Sequence, residues 1–334
     1  MDEDPMYGSA AAVRAGCVPP PRRGGPAGPV SRACPAARPE RRSSMPPGDP
    51  GSLSIVTPTY QSGPFLGRAL ASVRGRGVQH VVMDGGSSDG TVALLEAEPA
   101  VTWRSEPDRG QSHALNKALT EATGTWIGWL NADEFYLPGV LEWVQERLRA
   151  DDVDVLFGDF AEVDTEGRLL RLVTNHRYSP SILRRVNCYL PTCATFIRRE
   201  SLVRVGGLRE DLRTIMDWDL WLRLDRAGAR FGYEPVVFAG FTRHPGQVTE
   251  RLAERSRQEK ACMRADFGIV NPLWRHHLSR AHRVALKTVN GSYRRQLRAQ
   301  GLRGTPLGSV GDPLRVAAAA RLNPQVPVAP EDAG

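Results

Sequence analysis

The chain has 334 residues, a net charge of +7 and five cysteines with no CxxC pair, and no stretch of it approaches the roughly 18 consecutive apolar residues of a membrane span. The basicity is local: residues 1–50 sum to +2, 267–304 to +8 and 305–334 to −1, which leaves 51–266 at −2. This excludes a basic nucleic-acid groove through the fold, a disulfide framework and a zinc site, and scattered thiols suit a reducing compartment.

Residues 1–50 are rich in Pro, Gly, Ala and Arg ("CVPPPRRGGPAGPV") and offer little apolar surface to offset chain entropy, so disorder is expected there. An ordered pattern begins just after Met45, which reads as an alternative start. From Ser52 onward strands and helices alternate. "LSIVTP" predicts a strand and "GPFLGRALASVRG" a helix with Pro64 in its first turn. "VQHVVMD" is a second strand, "SDGTVALLEAE" a helix begun at Ser88 or Asp89, and "VTWRS" a short strand. "SHALNKALTEA" carries Ala114, Leu115, Ala118, Leu119 and Ala122 on one helical stripe. "TWIGWL" is a fourth strand, "PGVLEWVQERLRA" a helix and "VDVLFGDF" a fifth strand.

Continuous apolar strands alternating with helices predict a mostly parallel sheet covered on both faces, with ligands beyond the strands' carboxyl ends. Three such ends are chemically distinctive: "TPTY" (Thr57, Pro58, Thr59, Tyr60), "DGGSSDG" from Asp84, and "NADE" (Asn131, Ala132, Asp133, Glu134). After about residue 160 a hairpin turning at Glu166-Gly167, and "CATFIRRE" as a strand leading into a helix, predict a mixed second half. Residues 305–334 read as a second loose tail.

Each constellation has a plain structural reading beside a functional one. Asp89 reads equally as an N-cap, but Asp84, at the end of a buried strand, is placed to accept hydrogen bonds from a base or ribose. Asp133 and Glu134 follow a fully apolar strand, and hard oxygens at that rim suit Mg²⁺ or Mn²⁺ shared with substrate phosphates. "TIMDWDLWLRLDRAG" predicts a helix with an aromatic buried side and with Asp217 and Asp219 in its first turn. Residues two apart point to different sides, so at most one faces a site, and Asp217 is the better candidate for a general base. Arg109, ahead of a helix N-terminus, suits either an anion or plain solvent. Arg243 and His244 lie in a Pro-Gly loop. Residues 267–304 carry Trp274, Leu278, Val289, Tyr293 and Leu297 among eight cations. They read either as a basic amphipathic helix resting on an anionic membrane or as a helix packed on the domain.

With "SIVTPTY", "VVMDGGSSDGT", "SEPDRGQSHALNKAL", "GTWIGWLNADEFYLPG" and "MDWDLWLRL" in order, residues 53–250 resemble a family 2 glycosyltransferase of the GT-A fold. The resemblance implies a domain over 51–266, with a nucleotide-binding half (51–159) and an acceptor half (160–266), a basic helical extension over 267–304 and tails over 1–50 and 305–334. It implies inverting transfer from a nucleotide-diphosphate sugar donor to the hydroxyl of a glycan or lipid-linked acceptor, in cell-surface or exported polysaccharide synthesis. Residues of "TPTY" and Asp84 would hold the nucleotide, with Asp84 reading the base, and Arg109 would lie near the ribose or phosphates. Asp133 would hold Mg²⁺ or Mn²⁺, Asp217 would be the base, and His244 would close over the diphosphate. Asn131, Glu134, Met216 and His113 depart from the commonest family pattern and leave metal affinity and donor choice open. The expected setting is cytoplasmic, at the inner membrane face, without nucleic acid. The rival reading is a GT-A scaffold that binds a nucleotide sugar or glycan without catalysis.

Overall fold

The computed structural model describes residues 49–247, 252–270, 272–308 and 312–327. The disorder expected over 1–50, and the start at Met45, lie outside the described residues except for positions 49 and 50. Among the described residues nine strands form one sheet: β1 (Leu53–Thr59), β2 (Gln79–Asp84), β3 (Val101–Ser105), β4 (Trp126–Trp129), β5 (Glu134–Tyr136), β6 (Val155–Val163), β7 (Leu169–Val173), β8 (Thr195–Arg198) and β9 (Phe231–Thr242). Their order is β3-β2-β1-β4-β8-β6-β9-β5, with β7 also paired to β6.

The first four strands are all parallel. β1, β4 and most of β2 are buried throughout, as continuous apolar strings between two helical layers must be. One layer packs α1 (Gly63–Val73) and α4 (Val140–Leu148) on one face of the sheet. The other packs α3 (Gln111–Glu121) and α7 (Met216–Arg226), which buries Trp218, Trp221 and Leu222. The chain then changes sense: β8 runs antiparallel to both β4 and β6, and β9 runs parallel to β6. The fold is therefore the expected α/β sheet with a mixed second half. The hairpin forms at Gly167, which adopts φ +81, and β8 leads into α6 (Arg199–Arg204). Two elements were not foreseen. β5 is only three residues long, and β9 pairs with it antiparallel, placing Glu134 opposite Phe241. Between β2 and β3, α2 (Thr91–Glu96) starts later than expected, after Gly90 in the left-handed region.

The stretch 305–334, expected to be loose, is corrected in its described part. Pro306 bridges to Arg168 beside β7, and Leu307 is fully buried. The Phe135 ring packs against Gly240 and Gly308, where any side chain would collide with it. Ala318 and Ala319 of the last helix (Pro313–Leu322), and Val326 after it, join the core. Asn323 then clamps β9, its Oδ1 accepting the Val237 N–H at 2.8 Å and its Nδ2 donating to the Val237 carbonyl at 2.6 Å.

After β9 comes α8 (Ala253–Asp266), and the basic segment 267–304 forms α9 (Leu273–Val289) and α10 (Ser292–Gln300). Polar anchors hold α9 and α10 to the domain. The buried Asp159 carboxylate accepts from Arg295, Tyr233 and the Asn175 N–H, and Asn290 and Ser292 both donate to the Asn175 carbonyl. The opposite face of α9 leaves Trp274, Leu278 and Val289 exposed. The packed alternative for this segment is therefore the one the contacts describe. No described helix is long and apolar enough to cross a membrane. Cys188 and Cys193 carry free thiols.

Candidate active site

Strand register brings the rim together. Thr59 lies opposite Asp84, and Asp84 opposite Ser105, so the ends of β1, β2 and β3 are level. The loops after β1 and β2 are tied to each other: Gln61 N–H donates to Ser87 Oγ, Ser62 N–H to Thr91 Oγ1 and Gly63 N–H to Asp89 Oδ2. Thr57 and Pro58 are buried, Thr59 is 5% exposed with no hydrogen-bond partner for its hydroxyl, and Tyr60 stands out at 63%.

Asp84 is drawn into its own turn. It is 1% exposed, and its carboxylate is occupied by the Gly86 and Ser87 N–H groups and the Ser87 and Ser105 hydroxyls at 2.5–3.1 Å. A carboxylate so fully bonded shapes its own turn and has little left to offer a base. The carboxylate that does face this rim is Asp108. A Cβ built at Gly85 would lie 2.9 Å from Asp108 Oδ2 and 3.2 Å from the Tyr60 ring, so the glycine opens the floor between them. Its signal was the Asp of "PDRG", one residue before the cation that drew the sequence reading. Arg109 itself is a surface cation, 66% exposed and paired with Glu210 at 2.6 Å.

Below the rim, His80 is buried against Thr57, with Nε2 3.0 Å from Oγ1. Burial lowers its pKa to about 4. The unfolded chain therefore takes up a proton below its ordinary pKa near 6.5 while the fold does not. Stability is full above that pH and falls as the pH drops toward 4, by about 3 kcal/mol at most, since each unit is worth about 1.4 kcal/mol. Chemical denaturation at pH 7 and pH 4.5 should show a smaller acid loss in His80→Gln than in the wild type; equal losses would contradict this.

The "NADE" turn resolves into distinct environments. Asn131 Oδ1 accepts from Trp129 and Gln111, and Ala132 is 5% exposed. Glu134 enters β5, is 1% exposed and accepts the Asn131 N–H at 2.8 Å. Burial first, and the neighbouring Asp133 charge second, push its carboxyl upward toward the neutral form. That is how two adjacent carboxyls coexist here. Asp133 keeps contact with solvent, and its Oδ2 lies 3.1 Å from His244 Nε2. The His244 ring stacks on Phe65, centroids 4.4 Å apart. Asp133 and His244 thus stand side by side as one carboxylate oxygen and one imidazole nitrogen. Among the described residues no cluster of three His, Cys, Asp or Glu side chains is placed to hold an ion. A set of two donors fits Mg²⁺ or Mn²⁺ of the kind that takes its remaining ligands from substrate phosphates and water.

Asp217 and Asp219 separate as their spacing requires. Asp219 is 1% exposed and paired at 2.6 Å with Arg223, which also caps the Val205 and Gly207 carbonyls and so ties α7 to the turn after α6. Asp217 opens, with Glu134 and Arg243, onto a cavity of about 460 Å³. Cys188 Sγ donates to Asp217 Oδ2 at 3.6 Å, and burial raises the carboxyl above its ordinary range. Of the cavity's other polar walls, Thr174 and His176 carried no sequence signal, and Arg283 and Lys287 only that of a basic helix.

The family described as Glycosyl transferase family 2 matches residues 54–210, a span that includes the rim but neither Asp217 nor His244. An uncharacterized glycosyltransferase of Mycobacterium tuberculosis is 31% identical over 183 residues, covering 52% of this chain and 68% of the relative. The O-antigen biosynthesis protein RfbC of Myxococcus xanthus is 30% identical over 202 residues, 56% of this chain and 16% of the relative. Of three other relatives the chain spans between 36% and 61%, less than two thirds of their length. Among solved structures, S. aureus TarS in complex with UDP-GlcNAc superposes with a TM-score of 0.49 at 18% identity, covering 59% of this chain and 60% of that one.

Proposed function

Because this chain belongs to glycosyl transferase family 2, we propose that it transfers a sugar, with inversion, from a nucleotide diphosphate to an acceptor hydroxyl, in the assembly of a cell-surface or exported polysaccharide. The observation that carries this reading is that one cavity is lined by both Glu134, the neighbour of Asp133, and the half-buried carboxylate of Asp217. The nucleotide would sit on the rim against Tyr60, with Asp108 beside Gly85 accepting from its base. Asp133 and His244 would hold Mg²⁺ or Mn²⁺, which supplies charge neutralisation for the departing diphosphate. In the cavity Asp217 takes the acceptor hydroxyl's proton as that oxygen bonds to the anomeric carbon. The bond from the anomeric carbon to the phosphate oxygen breaks, and its electron pair leaves with the nucleotide diphosphate. Incubating the chain with UDP-, GDP- and dTDP-sugars and following the anomeric proton by NMR tests this. Turnover of one donor class into a product of opposite anomeric configuration is expected. A nucleotide that binds without any turnover, with every acceptor offered, would favour the non-catalytic binder instead.

We also place the protein at the inner face of an anionic membrane. The exposed Trp274, Leu278 and Val289 of α9 alternate with Arg275 and Arg280, the pattern of an interfacial helix. Trp274→Ala/Leu278→Ala should reduce co-sedimentation with phosphatidylglycerol vesicles several-fold, and unchanged co-sedimentation would remove α9 from that role.

A further inference from the structure

The cavity in front of Asp217 carries more charge and more unsatisfied polarity than proton removal requires. Its cations and unpartnered polar groups come from three of its walls: the loop after β7 (Thr174, His176), the loop after β9 (Arg243), and α9 (Arg283, Lys287). Arg283 and Lys287 are four residues apart on the helix and so share a face. Arg283 donates to Asn187 at 2.9 Å, while Lys287 has no hydrogen-bond or ion-pair partner among the described residues. Burial and the Arg283 charge disfavour its ammonium, which an arriving anion would relieve. Of the acids that reach the cavity, Glu162 is already paired with Arg171 at 2.6 Å and Glu134 already accepts the Asn131 N–H. Two further groups are fully buried and unpartnered: Thr174 Oγ1 and His176 Nε2. His176 Nδ1 lies 2.8 Å from the Arg177 carbonyl and must donate to it, so Nε2 is left as a lone pair that accepts a hydroxyl proton. Buried polar atoms without partners are costly unless a ligand supplies them.

Resting on the sugar-transfer reading above, we infer that the acceptor is an anionic saccharide. Its phosphate or carboxylate is held by Lys287, Arg283 and Arg243, its hydroxyls meet Thr174 and His176, and its reacting hydroxyl faces Asp217. α9 therefore has two duties: its inner face selects the acceptor's charge, while its outer face is apolar. The same anion could reach the cavity on a soluble sugar phosphate or acid, or on a lipid-linked phosphate whose chain lies along that outer face.

Calorimetric titration of the full chain with glucose 1-phosphate, glucuronate and glucose, at constant ionic strength, tests the subsite directly. At least one acidic sugar should bind ten or more times tighter than glucose, on the scale of a charge-assisted contact. That preference should collapse in Lys287→Gln and in Lys287→Gln/Arg283→Gln and persist in Lys287→Arg. Because Arg283 also anchors Asn187, the Lys287 variants decide the matter if the double variant unfolds. Equal affinity for glucose and both acidic sugars, or an undiminished preference in Lys287→Gln, overturns the proposal. Vesicles with and without a polyprenyl phosphate separate the sources: Lys287-dependent capture of the phosphate-bearing vesicles assigns a lipid-linked acceptor, and capture of the soluble sugar alone assigns a soluble one. Titrating UDP and GDP into the same variants reads the donor rim separately. Anion binding without any nucleotide binding would remove the transfer reading and leave the subsite standing.

Discussion

Asp217→Asn lowers turnover by about 10²–10⁴-fold, the usual worth of a positioned general base, and leaves nucleotide affinity nearly unchanged. The amide keeps the shape of the side chain and the first turn of α7 but cannot take a proton. Pre-steady-state mixing with the donor class identified by the NMR panel separates the two effects, and a fall in affinity that matches the fall in turnover would make Asp217 a binding residue. The pH profile gives a second reading. Burial disfavours the ionised form of Asp217, so its acid limb should sit above the ordinary carboxylate range. The base works ionised, so activity rises with pH through that raised pKa and is lost below it. The Cys188 hydrogen bond favours the ionised form, and Cys188→Ala should therefore move the limb further up. A limb that stays near pH 4 in both proteins would assign the proton to another group.

Asp133→Ala has the second large effect, about 10²-fold or more in turnover, because several kcal/mol of charge stabilisation at the departing diphosphate depend on the ion it would hold. His244, left stacked on Phe65 without its carboxylate partner, is not expected to hold the ion alone. His244→Ala should show a smaller loss of the same kind. Activity of Asp133→Ala equal to wild type at saturating Mn²⁺ would exclude this turn from the chemistry.

The sheet that carries these residues was largely legible. β1, β2 and β4 are largely apolar, buried strings, and polar residues follow at the rim: Thr59 closes β1, Asp84 closes β2, and Asn131 lies just past β4. α7 announced its buried side through Trp218 and Trp221. Sequence spacing also separated Asp217 from Asp219, and the structure supplies the reason in Arg223, four residues further along the same helix. The hydrogen bonding of Asp84 was not legible because its partners are dispersed: Ser87 lies three residues on, and Ser105 comes from a strand 21 residues away. Asp108 was passed over for its charged neighbour, since only the folded loop shows it leaning over Gly85. The tail after 304 looked loose because Leu307, Ala318, Ala319 and Val326 are few and scattered among Pro, Gly and Arg. Each is buried by a partner element far away in the chain. The acceptor cavity was invisible for a similar reason, as its cations come from a helix that sequence periodicity marked only as basic and amphipathic.

The account stands most directly on one binding measurement. Isothermal titration of UDP, GDP and dTDP into the wild type and Asp133→Ala, each with Mn²⁺ and again with EDTA, reads the rim and the ion together, without needing an acceptor. The prediction is that one nucleotide binds the wild type at least tenfold more tightly with Mn²⁺, and that Asp133→Ala removes this gain while retaining the weaker, metal-free binding. Equal affinity with and without Mn²⁺ in the wild type, or a Mn²⁺ gain that survives in Asp133→Ala, would contradict it.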